Sequence, residues 1–82
     1  MNKEVTMVPY ADTDHDSGVE AYGCTPDSIV VKFKEGTNQY YEYTYASAGS
    51  SQVEQMKVLA ASGDGLNAFI NTKVRFHYAD RW

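Results

Sequence analysis

Four tyrosines fall within the six residues from Tyr40 to Tyr45, inside the stretch NQYYEYTYASAG from Asn38 to Gly49, and this run constrains the fold most. Tyr41, Tyr43 and Tyr45 recur at every second position, which in a strand places them on one face of a sheet. Tyr40, Glu42 and Thr44 then point the other way. Tyrosine and threonine suit a pleated, half-buried surface. The run is therefore expected to be the strand around which the rest is organised.

The residues ahead of it read as its sheet partners. In SIVVKFKE, Ser28 to Glu35, Ile29, Val31 and Phe33 share one face and Val30, Lys32 and Lys34 the other. EGTN, Glu35 to Asn38, is a glycine-bearing hairpin loop, and TPDS, Thr25 to Ser28, is turn chemistry. GVEAYGC, Gly18 to Cys24, is a first strand of ambiguous period. Val19 and Ala21 fall on one side and Tyr22 and Cys24 on the other, which allows a bulge. VTMV, Val5 to Val8, reads as an edge strand that Pro9 ends.

The residues after it read as cover. Ser51 and Glu54 spell a capping box, opening a helix from about Gln52 to about Ser62 with Val53, Met56, Leu59 and Ala60 on one stripe. Gly63 is a left-handed stop. Asp64 is expected to cap a second, shorter helix in which Leu66, Phe69 and Ile70 share a face. Val74, Phe76 and Tyr78 then alternate with Lys73, Arg75 and His77, the pattern of a short extended segment. The expected fold class is α+β: a three-stranded antiparallel meander packed on one face by two consecutive short helices. Further edge strands at the termini are allowed.

Composition narrows the function classes. At 82 residues, 43% apolar and 22% charged, the chain is expected to form one globular domain, 17–82, preceded by an acidic extension, 1–16. That extension reads as an edge strand or a partly disordered piece. The net charge of −4 argues against strong, sequence-independent nucleic-acid binding, which needs a basic surface, although a local basic patch remains compatible with it. Cys24 is the only cysteine, so no internal disulfide forms. The start lacks the apolar run of a signal peptide, and no stretch approaches a membrane span. A reduced, cytoplasmic setting is the expectation.

DTDHD, Asp12 to Asp16, has the alternating carboxylates of a calcium loop. Counted from Asp12, however, Ser17 holds the sixth position, where glycine is needed, and Gly23 the twelfth, where glutamate is needed. A solvated acidic loop is expected instead. His15, His77 and Cys24 offer no zinc-ligand spacing, and no serine sits in a nucleophile elbow. Cys24 is expected to be buried and inert. Neither catalysis, a metal nor a cofactor is expected.

From about Ser17 to Tyr78 the chain resembles the KTSC domain, a small module at the C-terminus of some lysyl-tRNA synthetases and in free-standing bacterial and phage proteins. The resemblance rests on FKEG (Phe33 to Gly36), Tyr41 and Tyr43 as Tyr-x-Tyr, Ala60 with Ser62, SGDGLN (Ser62 to Asn67), and Phe69 with Ile70. Leu66 departs from the usual pattern, in which an aromatic residue precedes the asparagine, and so does the acidic extension. The resemblance implies a compact α+β unit without assigned enzymatic activity, with RNA binding suggested by its association with synthetases.

Candidate nucleic-acid-binding residues are Lys32, Lys34, Tyr40, Lys73, Arg75 and His77, with Arg81 in the same basic cluster. Tyr41, Tyr43 and Asn67 are candidate motif residues. The tyrosine row supports two readings. Exposed rings stack bases, whereas covered rings floor a core and send their hydroxyls to the rim; the hairpin register decides between them. The basic residues read either as a phosphate-binding strip or as the polar face of a terminal strand. Asn67 reads as a local capping group or as a polar group in a groove. RNA is the first expected partner. The alternative is a protein-interaction or self-association module, favoured by net acidity and by solvent-facing Tyr22, Tyr40 or Trp82.

Overall fold

The computed structural model describes residues 5–12 and 18–82. Five strands form one antiparallel sheet in sequence order: β1 (Val8–Pro9), β2 (Val19–Thr25), β3 (Ser28–Phe33), β4 (Tyr40–Thr44) and β5 (Asp80–Arg81). Between β4 and β5 the chain leaves the sheet through α1 (Tyr45–Ala48), α2 (Ser50–Ser62), α3 (Leu66–Phe69) and a π-helical turn, Ile70–Val74. The α+β class stands. The central meander β2–β3–β4 is extended at each edge by a strand of two residues.

Register settles which side the tyrosines take. Ile29 pairs with Tyr43 and Val31 with Tyr41, so these four side chains share one face. That face meets Val53, Met56 and Ala60 of α2, Leu66 of α3, and Ile70 and Val74 of the π-helical turn. α2 is amphipathic at a spacing of three and four, and Leu59 packs against the rim of the same stripe. Full burial of each such aliphatic side chain contributes roughly 1.5–3 kcal/mol. The core reading of Tyr41 and Tyr43 is therefore the one the register supports. A bulge between Val19 and Ala21 puts Val19 into this core, separating two residues that simple alternation places together.

The opposite face is partly covered by the residues before β1. Val30 is buried there, across from Gly23. A Cβ on Gly23 would lie 2.5 Å from Val5 Cγ1 and 2.7 Å from the Thr6 carbonyl, so only glycine lets this segment cross so closely. The chain then turns round the sheet edge. Tyr10 enters the core, its hydroxyl accepting the Leu66 amide at 3.3 Å. Asp12 receives the Lys34 ammonium at 3.2 Å.

Several local expectations are corrected. Tyr45 is not in the strand, because Thr44 caps α1 through a capping box with Ser47. Ser51 and Glu54 form no such box. α2 begins at Ser50 without a side-chain cap, and Glu54 instead accepts the Tyr45 hydroxyl and pairs with Lys57 at 2.9 Å. Asp64 caps nothing; Gly65 precedes α3, and Tyr10 already satisfies the Leu66 amide. Gly63 ends α2 in the left-handed region, as expected. Val74 to Tyr78 is not an extended segment, because Ile70 and Val74 are both buried at helical spacing and hold the chain in the π-helical turn. Val5 to Val8 contributes only Val8 to β1, and Pro9 lies within that strand, tolerated because this is the sheet edge.

Candidate nucleic-acid interface

A cleft of about 780 Å³ opens where the β3–β4 loop, the end of the π-helical turn and β5 converge. Its floor is aromatic. Phe33 meets Tyr41 edge-on at 5.4 Å between ring centroids, and Tyr41 meets Tyr78 edge-on at 5.2 Å, an arrangement that aligns ring edges with ring faces. Tyr43 lies beneath them, 1% exposed. Burial, reinforced by Tyr41 and Tyr78, pushes its phenol well above the ordinary value. The phenol is therefore a neutral hydroxyl at the base of the cleft.

The walls supply charge. Arg75 follows the π-helical turn and lies over the Phe76 ring, 5.3 Å from its centroid; Arg81 of β5 lies over Tyr78 at 5.4 Å. Neither guanidinium has a carboxylate partner among the described residues. Phe76 is 75% exposed, so its ring is open to a ligand entering the cleft. Lys34 also lines the cleft, but its charge is held by Asp12, whose side chain is only 12% exposed.

The sequence candidates separate onto different surfaces. Arg75, Lys34, Tyr41 and Tyr43 belong to the cleft. Lys32 and Tyr40 do not, because their positions in β3 and β4 face away from the helices. There Lys32 pairs with Glu20 at 2.9 Å, a bond that raises the lysine above its usual value. It also lies 5.6 Å from the Tyr40 ring centroid, and Tyr40 stacks on Trp82 at 5.7 Å. Lys73 and His77 are exposed but line no part of the cleft. The expected alternation of Lys73, Arg75 and His77 along a strand is lost with the strand itself.

No family model, curated protein or solved structure matches the chain. Its residues must carry the functional reading themselves. Asn67 occupies the second position of α3, makes no side-chain hydrogen bond among the described residues, and lies behind the cleft-lining Gly18 without itself lining the cleft. Cys24 is exposed, not buried; partial cover of its sulfur pushes the thiol upward despite nearby Lys57. The calcium-loop pattern falls mainly on 13–17, outside the described residues. Phe76, Tyr78 and Glu35 were not singled out by sequence for this site. The available signal was the pairing of a cation with an aromatic neighbour in Arg75–Phe76 and in Tyr78 with Arg81.

No helix among the described residues is long and apolar enough to cross a membrane.

Proposed function

We propose that this chain is a small non-catalytic binding module, of the kind its KTSC resemblance implies, and that its cleft takes a short single-stranded RNA segment. The observation carrying this reading is the placement of Arg75 and Arg81, both without a carboxylate partner among the described residues, beside Phe76 and Tyr78 in one aromatic cleft. Guanidinium groups neutralise phosphates, and exposed rings stack bases with little regard to sequence. A net charge of −4 keeps such binding weak and sensitive to salt. The lone, exposed Cys24 fits a reducing cytoplasm.

The test is fluorescence anisotropy of a labelled RNA hexamer titrated at several salt concentrations. Each phosphate contact contributes a slope of about −0.7 for single strands. Arg75→Ala and Arg81→Ala are each expected to remove one such contribution. Phe76→Ala is expected to weaken binding by about 1–3 kcal/mol, the worth of one stacked base. Lys73→Gln, outside the cleft, should leave affinity within about twofold. Absence of salt-dependent binding near ~50 mM ionic strength overturns the reading.

A second reading, protein interaction or self-association, is favoured by Lys32, Tyr40 and Trp82 on the opposite face. Sedimentation of the pure protein tests the self-association form. A concentration-dependent dimer that Trp82→Ala abolishes supports it; a monomer at all concentrations removes it.

A further inference from the structure

We propose, building on the RNA reading of the cleft, that Glu35 is a specificity-determining residue that selects guanine. Glu35 lines the cleft from the β3–β4 loop and is exposed. Among the described residues it has no cationic partner, because the neighbouring Lys34 ammonium is directed to Asp12. In a cleft whose other charged groups attract phosphate, an unneutralised carboxylate repels it. The space beside Glu35 is therefore suited to a part of the ligand that is uncharged and rich in donors.

An ionised carboxylate only accepts hydrogen bonds, through two oxygens set side by side. Guanine presents two adjacent donors, N1–H and the N2 amino group, on one edge. Adenine and cytosine each present an amino group next to a ring-nitrogen acceptor, and uracil presents one N–H between two carbonyls. Only guanine matches both carboxylate oxygens without placing an acceptor against one of them. Recognition of an unstacked base on its Watson–Crick edge is the usual route to sequence preference in single-stranded RNA.

The backbone of the loop that carries Glu35 is closed by two hydrogen bonds. The Phe33 amide donates to the Gln39 carbonyl at 2.7 Å, and the Gln39 side-chain amide donates back to the Lys34 carbonyl at 3.1 Å. These two bonds brace the hairpin on either side of Glu35. Phe76, contributed by a different wall of the same cleft, offers the ring on which a base held there would stack.

The experiment compares three labelled RNA hexamers, uridine throughout except for guanosine, inosine or adenosine at one central position. Wild-type protein is expected to prefer the guanosine hexamer over the adenosine one by roughly tenfold, the discrimination of a good bidentate pair. Inosine, which lacks the N2 amino group, falls between them. Glu35→Gln is expected to abolish the preference, by lowering affinity for the guanosine hexamer to that for the adenosine one. Equal affinity of the wild type for all three, with the salt dependence and the Arg75 and Arg81 effects intact, overturns the guanine proposal and leaves the RNA reading standing. Retention of the preference by Glu35→Gln also overturns it. Failure of every hexamer to bind overturns both.

Discussion

Tyr43 shows how one residue serves core and cleft together. Its ring packs with Ile29 and its neighbours, while its phenol lines the cleft and is held neutral by burial. A phenol whose folded value is raised contributes stability that is fully present below the unfolded value, about 10, and is lost as pH rises through the folded value. Denaturant midpoints are thus expected to stay level from about pH 7 to about pH 9 and to fall above about pH 10. Tyr43→Phe keeps the ring and should flatten that alkaline fall; an unchanged slope in the variant would show that Tyr43 is not its source. The alternation that groups Tyr41 with Tyr43 was legible in the sequence. Their side of the sheet was not, because alternation fixes relative faces and only the pairing of Ile29 with Tyr43 says which face the helices cover.

Helix starts were legible in kind but not in place. The Ser51–Glu54 spacing satisfies the capping rule, yet Glu54 is drawn off by the Tyr45 hydroxyl and the Lys57 ammonium. The first of those contacts is set by α1, a helix of four residues too short for any periodicity to reveal, and the second is an i,i+3 pair within α2. Thr44 does the capping, with its side-chain oxygen accepting the Ser47 amide at 3.0 Å. Thr44→Ala is accordingly expected to cost about 1 kcal/mol, and Ser51→Ala to stay within about 0.5 kcal/mol. Equal losses in thermal or urea unfolding would return the cap to Ser51. The alternation from Val74 to Tyr78 misled for a related reason. Burial of Ile70 and Val74 four positions apart outweighs a pattern whose other members, Phe76 and Tyr78, are exposed and half-buried.

Across the whole molecule, the cleft draws on residues near 34, 75 and 81 that no local pattern connects. That is why the sequence grouped Arg75 and Arg81 with Lys73 and His77, which line no part of the cleft, rather than with the β3–β4 loop. The sheet, by contrast, is built of sequence neighbours, and β2, β3 and β4 close through short loops. β5 differs. It must return across roughly 36 residues from Thr44 to Asp80. Relative to the loop of about six residues between β3 and β4, that closure costs about 1.6 kcal/mol more by chain entropy, before the intervening helices are counted. Its anchorage is slight: the Tyr40 and Trp82 amides exchange bonds with each other's carbonyls at 2.9 Å, and Ala79 donates to Glu42 at 2.7 Å. The Trp82 and Ala79 amides should therefore exchange with solvent deuterium well ahead of those in β3, and equal protection would argue for a fully cooperative sheet. Since Arg81 rides on β5, the proposed RNA cleft has its full set of cations only while this strand is paired with β4. A partner that grips Arg81 is then also a fastener, lending the finished sheet some of its own binding energy.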